Sequence, residues 1–332
     1  MNRTRPATAL AALASLALLA GCTGSPDPGA EQQSSTGDSA YPVTIDNCGE
    51  EVTLDAAPSS VFTVGTTALW NLHAAGAGDR VIARSGEFGA DLNNDELTEF
   101  YADLPIIDPS DPTTEAIVAT GTDFVVGYGL FNSSREALAD AGIGSIENSD
   151  ECAGGHSGGG GEGASVDAIL ADIERFGTVF DTRAQADATV AELRSQLDKL
   201  ATQRPEKEAT ALIAYYFLGS FGSHGGTNVS TDILDRAGLV NVFADEPGLF
   251  IDPSLESVID SDPDYIIVHY GVEGESFEQA RDAFLAEPGV SDMRAVQKGN
   301  IIGVPYEGLM FTAGAIDGIR ALIDARTEGG SR

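Results

Sequence analysis

The stretch Glu115-Ala116-Ile117-Val118-Ala119-Thr120-Gly121-Thr122-Asp123-Phe124-Val125-Val126 returns in degenerate form 141 residues later, as Glu256-Ser257-Val258-Ile259-Asp260-Ser261-Asp262-Pro263-Asp264-Tyr265-Ile266-Ile267. Each copy has a Glu, aliphatics at +2 and +3, an Asp at +8, an aromatic and two β-branched residues. That is a helix start followed by a buried strand. A second landmark repeats in the same order, Leu72-x-x-Ala75-Gly76 and Leu234-x-x-Ala237-Gly238, at an offset of 162. The first half therefore carries 21 more residues between its landmarks than the second. A period this long is the size of a domain, not of a solenoid repeat. The chain reads as two similar α/β lobes, and the cleft between such lobes is where a ligand is expected.

The segments outward from the repeat fit this reading. Residues 61–64, 81–84, 124–126 and 143–146 read as strands of the first lobe, after a polar β-like segment over 43–54. Residues 69–75 read as a helix ended by Gly76. In the second lobe, 210–216, 265–270 and 301–304 read as strands, and 233–237, 255–259 and 313–325 as helices. Alternation of strands with helices argues for parallel βαβ units. Between the lobes the period becomes helical. Val166, Ile169, Leu170, Ile173 and Phe176 share one face behind the N-cap candidate Ser165. Ala186, Val190, Leu193, Leu197 and Leu200 recur along 181–204, a helix of about 36 Å that connects the lobes. The fold class is α/β, two Rossmann-like lobes joined by a single long helix. The organisation expected is a leader over 1–22, a flexible tether over 23–40, an N-terminal lobe over 41–180, the inter-lobe helix over 181–204 and a C-terminal lobe over 205–332.

The leader expectation rests on Arg3 and Arg5, an apolar run over 7–20 too short to span a bilayer, and Leu19-Ala20-Gly21-Cys22. The last four resemble a bacterial lipobox, which implies lipidation of Cys22 and an extracytoplasmic, membrane-anchored protein. Net charge is −34 for the chain. Without residues 1–22, which hold two arginines and no acid, it is −36. Such a surface repels nucleic acid phosphates and anionic head groups, so only the lipid would hold the protein at the membrane. Cys48 and Cys152 remain, and in an exported chain pairing is favoured over free thiols. The bond would stabilise the fold by about 3–5 kcal/mol by the chain-entropy argument.

The ordered motifs resemble those of the class III solute-binding lipoproteins of ABC importers, which serve ferric siderophores, haem and vitamin B12. The residues carrying the resemblance are Asp79-Arg80-Val81-Ile82, Pro112-Thr113-Thr114-Glu115-Ala116-Ile117-Val118, Asp123-Phe124-Val125-Val126, Ser254-Leu255-Glu256-Ser257-Val258-Ile259, Asp262-Pro263-Asp264-Tyr265-Ile266-Ile267 and Val304-Pro305. They span about 41–326. Asp46-Asn47-Cys48-Gly49 with a later Cys resembles the actinobacterial branch. The resemblance implies a monomer that meets a permease and its ATPase through one exposed Glu per lobe, Glu115 and Glu256 by position. Both are also helix-start acids that favour the helix dipole, and the two roles are compatible. Where the family's first helix often carries an acid, this chain has Trp70-Asn71-Leu72-His73.

In open α/β sheets, ligands sit beyond the carboxyl ends of the strands. Phe88, Tyr128, Phe131, Tyr216, Phe217, Phe221, Tyr270, Tyr306 and Phe311 lie there, nine of 22 Phe and Tyr. Their rings suit a bulky amphipathic metal complex. The candidate ligand contacts are Arg84, Phe88, Tyr128, Phe131, Tyr216, Phe221, His224, His269, Tyr270 and Tyr306. Arg84 is the candidate for an anionic ligand group, with a surface ion pair as its competing role. The scarcity of arginine argues against a strongly anionic catecholate and for a neutral hydroxamate-type or mixed ferric siderophore. Haem, a corrinoid or another bulky metabolite such as a deazaflavin precursor is the alternative. Tyr128, Tyr216, His224, His269 and Tyr270 would then be candidate iron ligands. No resident cofactor is expected, since iron enters only within the siderophore. No nucleophile elbow, His-Glu-x-x-His or Walker motif is present, and the four histidines, His73, His156, His224 and His269, are widely spaced. An enzyme and a bare-metal site are therefore not expected.

Overall fold

The computed structural model describes residues 40–127, 132–154 and 164–328. Through the first lobe the elements are β1 (Val43–Asn47), β2 (Glu50–Leu54), β3 (Val61–Val64), α1 (Thr66–Ala74), β4 (Val81–Ser85), α2 (Asp95–Phe100), β5 (Ile106–Asp108), α3 (Thr114–Ala119), β6 (Phe124–Gly127), α4 (Arg135–Asp140), β7 (Gly144–Glu147) and α5 (Ser149–Gly154). Helices α6 (Val166–Val179) and α7 (Arg183–Ala201) follow. The second lobe holds β8 (Ala209–Phe217), β9 (Ser220–His224), α8 (Val229–Arg236), β10 (Leu239–Asn241), β11 (Phe250–Ile251), α9 (Leu255–Ser261), β12 (Tyr265–Tyr270), α10 (Phe277–Leu285), α11 (Arg294–Lys298), β13 (Ile301–Pro305) and α12 (Ala315–Glu328). The lipidation candidate Cys22, residues 1–39 and His156 lie outside the described residues.

Lobe 1 is a parallel sheet in the order β5-β4-β3-β6-β7. Its central strands β3 and β6 are buried at every position, as strands covered by helices on both faces must be. In lobe 2, β10, β12 and β13 extend the parallel set around β8. The second half of β8 folds back antiparallel on β9, and β9 takes β11 at its edge. The sequence repeat is a structural one. Asp123 accepts from the backbone N–H groups of Ser59 and Ser60, both at 3.0 Å, just before β3. Asp264 accepts from Thr210 N–H at 3.2 Å on β8. In each lobe the strand-start Asp pins the neighbouring strand. Gly76 and Gly238 both sit at positive φ, 76° and 72°, ending α1 and α8. The 21 additional residues of lobe 1 correspond to α2 and β5, where lobe 2 has only β11.

Helix α7 is the connection between lobes, and α6 lies antiparallel against it. The helix expected over 181–204 runs over Arg183–Ala201, about 28 Å long, because Asp181 takes φ 55° and stands outside it. Helix α6 starts against lobe 2, where Val166 N–H donates to Asp232 at 2.8 Å. It ends against lobe 1, where Tyr41 donates to the Val179 carbonyl at 2.6 Å. Ser165 caps it as its sequence indicates. Val61 and Leu69 of lobe 1, Ile173 and Phe176 of α6, Val190 of α7, and Ile213 and Ile267 of lobe 2 belong to one continuous buried cluster. Opening the lobes would expose that apolar surface, and a continuous helix has no loop residues to absorb a hinge rotation. Small-angle scattering should therefore give nearly equal radii of gyration with and without ligand, and a large compaction on binding would contradict the continuous core. Among the described residues no helix is long and apolar enough to cross a membrane.

Cys48 and Cys152 form a disulfide between the β1–β2 turn and α5. The turn is two residues long with Cys48 at φ 57° and Gly49 at φ 82°, the left-handed pair that a tight hairpin needs. Thiol labelling of the denatured, unreduced protein should find neither cysteine reactive. Two reactive thiols from this pair would contradict the bond.

Candidate functional site

A cavity of about 250 Å³ lies between the carboxyl ends of the two sheets. Lobe 1 contributes Gly65, Thr66 and Thr67 at the start of α1, and Gly86, Glu87 and Phe88 after β4. Lobe 2 contributes Tyr215 and Phe217 of β8, His224 of β9, Phe250 of β11, His269 of β12, and Val272 and Tyr306 from the loops beyond. The volume is slightly below the roughly 300–1,000 Å³ of ordinary ligand pockets. A bulky ligand would protrude past the rim, where Phe250 is 37% exposed.

Strand parity selects the lining. Side chains alternate across a strand, so neighbours in sequence face opposite ways. Tyr215 and Phe217 face the cavity, while Tyr216 faces the other side, where it donates to Glu287 at 3.0 Å and meets Phe221. His224 lies two and four positions from Gly222 and Ser220, and Phe221 lies on the opposite face. His269 faces inward and Tyr270 outward against Phe277. The expected contacts Tyr216, Phe221 and Tyr270 thus pack in the second buried cluster of lobe 2 and do not line the cavity. Phe88, His224, His269 and Tyr306 do line it. Tyr128 and Phe131 lie outside the described residues. Tyr215, Phe250, Glu87, Thr66 and Thr67 were not among the expected contacts: Thr66, Thr67 and Glu87 do follow strand ends but were passed over for aromatic and basic residues, whereas Tyr215 and Phe250 lie within strands, and counting parity back into β8 would have found Tyr215. Gly222 leaves room for its ring, since a Cβ there would stand 2.4 Å from the Tyr215 side chain.

Arg84 stands behind the lining, its Nη1 3.0 Å from Glu87. It neutralises that carboxylate and is not displayed to a ligand. Burial pushes the Glu87 carboxyl up, against the pull of Arg84. Among the described residues no lysine or arginine lines the cavity, so an anionic ligand would find no cation there.

The two cavity histidines are buried, which disfavours their charged forms. Burial holds His269 down to about 4, and burial together with His269 holds His224 well below its ordinary range. The two rings meet edge to face at 4.9 Å, and Tyr306 stacks on His269 at 5.3 Å. His224 Nδ1 pairs with Ser230 Oγ at 2.8 Å, and His269 Nε2 with the Tyr306 carbonyl at 2.9 Å. His224 Nε2 and His269 Nδ1 have no partner. Among the described residues the one grouping of candidate metal ligands is Cys48, Glu147 and Cys152, whose sulfurs are engaged in the disulfide.

The lobes also meet beside the cavity. Phe88 and Phe217 contact edge to face at 5.3 Å, and Asn93 of lobe 1 donates to Glu307 of lobe 2 at 3.0 Å. Burial raises the Glu307 carboxyl from 4.5 to about 7. The folded state thus binds its proton more tightly than the unfolded chain, and stability falls as pH rises from about 4.5 to 7. Glu307→Gln keeps an acceptor for Asn93 and removes the buried charge. It should raise stability by up to about 3 kcal/mol at pH 8 and leave it nearly unchanged at pH 4. Denaturant titrations at both pH values test this, and a variant destabilised equally at both would contradict it.

Glu115 and Glu256 occupy equivalent places, two residues after the N-caps Thr113 and Ser254. Both are exposed, neither lines the cavity, and neither forms an ion pair among the described residues. Because α3 and α9 each lead into a parallel strand, their N-termini lie at the carboxyl-end side of the sheets, the side of the cleft.

Comparison with known proteins agrees with this architecture. The sequence profile of the periplasmic binding protein family matches residues 66–307. A cobalamin-binding protein of Halobacterium salinarum is 25% identical over 284 residues, covering 84% of this chain and 72% of that protein. The crystal structure of an ABC-type Fe3+-hydroxamate transport system from Saccharomonospora viridis superposes with a TM-score of 0.76 at 25% identity, covering 87% of this chain and 100% of that one. A periplasmic haem-binding protein of Vibrio cholerae shares the fold, with a TM-score of 0.61 at 18% identity over 81% of this chain and 98% of that one.

Proposed function

The chain belongs to the periplasmic binding protein family, and from that premise we propose that it is the extracytoplasmic, lipid-anchored substrate-binding component of an ABC importer whose cargo is a ferric siderophore of neutral hydroxamate or mixed type. The observation that carries the reading is the composition of the inter-lobe cavity. Its walls combine aromatic rings and two imidazoles with threonines and Glu87, whose carboxylate is paired with Arg84 behind the lining, and among the described residues no lysine or arginine lines it. Rings supply apolar contact to the organic shell of a ferric chelate. An anionic tris-catecholate would lose its hydration without gaining a counter-charge. The similarity to the Fe3+-hydroxamate transport structure supports the same class.

A second reading follows from the two imidazoles among the lining residues, His224 and His269. Neutral imidazole is a ligand for haem iron, and the cobalamin-binding relative keeps a corrinoid in view. The test is a panel titration of the purified protein with ferric hydroxamates, ferric catecholates, haem and cobalamin. Saturable binding of a neutral ferric hydroxamate supports the first reading. A Soret band that shifts on haem addition, or cobalamin binding with no siderophore binding, supports the second.

A further inference from the structure

Among the described residues Glu87 is the one carboxylate of the cavity lining. It sits between Gly86 at φ 72° and Phe88 at φ 50°, two left-handed positions that fix the turn carrying it. Its side chain is 6% exposed, and a single nitrogen, Arg84 Nη1, contacts both its oxygens, at 3.0 and 3.3 Å. A carboxylate offers about four acceptor sites, so sites remain that Arg84 does not fill. Burial raises the Glu87 carboxyl even with Arg84 beside it, so the arginine does not offset the lost hydration. The charges acting on the lining tyrosines are acids. Burial raises the Tyr306 hydroxyl, and Glu307, Glu151 and Asp150 add to it. Burial raises the Tyr215 hydroxyl, and Asp252 adds to it. Burial likewise raises Glu307, with contributions from Asp91 and Glu87. Acids of both lobes thus surround a cavity whose lining, among the described residues, holds no lysine or arginine.

We propose that the cavity takes a cationic ligand and that Glu87 is its specificity-determining residue, receiving a protonated amine carried by the cargo. This rests on the binding reading above and deepens it. The ferric tris-hydroxamate centre is neutral and packs on the rings, while an ammonium arm reaches the carboxylate. The amine brings N–H donors to the acceptor sites that Arg84 leaves open, and charge-assisted bonds of this kind are the strong ones. It also brings positive charge to a site where acids outnumber the single arginine, so pairing offsets the cost of burying it. The field of a chain with net charge −34 draws such a ligand toward the cleft.

The experiment uses three linear ferric trihydroxamates that share one chelate and differ at one terminus: a primary ammonium, its acetyl amide and its succinyl amide, which are positive, neutral and negative overall. The native protein should bind them in that order, with the ammonium form at least about tenfold tighter than the acetyl form, or about 1.4 kcal/mol. Glu87→Gln removes the carboxylate and leaves the charge of Arg84 unbalanced, so it should abolish the preference. Equal or reversed affinities in the native protein, or an undiminished preference in a folded Glu87→Gln variant, would overturn the proposal. A second measurement reads the charge of the cavity without any chelate. Phe217→Cys places a thiol in the lining, and Val240→Cys places one on the exposed side of β10, outside it. The rate of modification by a cationic methanethiosulfonate relative to an anionic one should be at least about tenfold higher at position 217 than at position 240. Adding Glu87→Gln to Phe217→Cys should remove that excess. Equal ratios at the two positions, or an excess that survives Glu87→Gln, would overturn the proposal whatever the cargo. If none of the three chelates binds, the siderophore reading fails, and the modification rates alone decide the proposal.

Discussion

Changing both Glu115 and Glu256 to Ala should abolish import in cells while leaving ligand affinity of the purified protein within about threefold, or roughly 0.7 kcal/mol. The two glutamates are the matched residues of the internal repeat. They sit in the first turns of α3 and α9, exposed, each after a Ser or Thr N-cap. Pseudo-symmetry between the lobes places them as a pair beside the cleft, which fits a two-fold permease that covers the cleft mouth with basic loops. Neither belongs to the cavity lining, so the ligand should not sense their loss. Surface charge steers such an encounter, and two specific charges at its centre set the register. Import that persists in the double variant, or a large loss of ligand affinity in the purified protein, would contradict the docking role.

The second large effect is expected at the rings that close the cleft from both lobes. Phe88 and Phe217 touch across it at 5.3 Å. Phe88 holds φ 50°, a left-handed conformation that a bulky residue rarely adopts, between Gly86 at 72° and Gly89 at 92°. Strain of this kind concentrates where a side chain must be aimed. Neither ring belongs to the buried clusters. The double change Phe88→Ala and Phe217→Ala should therefore lower ligand affinity on the order of 100-fold, about 2.7 kcal/mol, with thermal unfolding little changed. Full affinity in a folded double variant would place the ligand elsewhere.

The lobes, their repeat and the connecting helix were legible in the sequence because each is encoded locally. The apolar stripe Ala186, Val190, Leu193, Leu197 and Leu200 reports a helix face, and the strand-start acids Asp123 and Asp264 mark the same junction twice. The hairpin of β8 and β9 was not legible from composition. Leu218 at φ 50° and Gly219 at φ 76° turn it, and Leu-Gly is a weak turn signal beside Asn-Gly. Missing the hairpin cost the parity of the site. Strand β8 was expected to end at Tyr216, yet it continues to Phe217 and returns through His224, so the inward residues are Tyr215, Phe217 and His224. The role of Arg84 was equally invisible. Its partner Glu87 lies only three residues on, but whether such a pair faces solvent or stands buried beside a cleft is decided by tertiary packing.

The protein has one tryptophan, Trp70, on the α1 helix that starts at the cavity. Equilibrium titration of its fluorescence with a neutral ferric trihydroxamate, and in parallel with an anionic ferric tris-catecholate, is the most direct test of an inter-lobe site without a free cation. Saturable one-to-one quenching by the hydroxamate, with the catecholate bound at least about 100-fold more weakly, is the result predicted. Preferential binding of the catecholate, or no saturable response to either chelate, would contradict it.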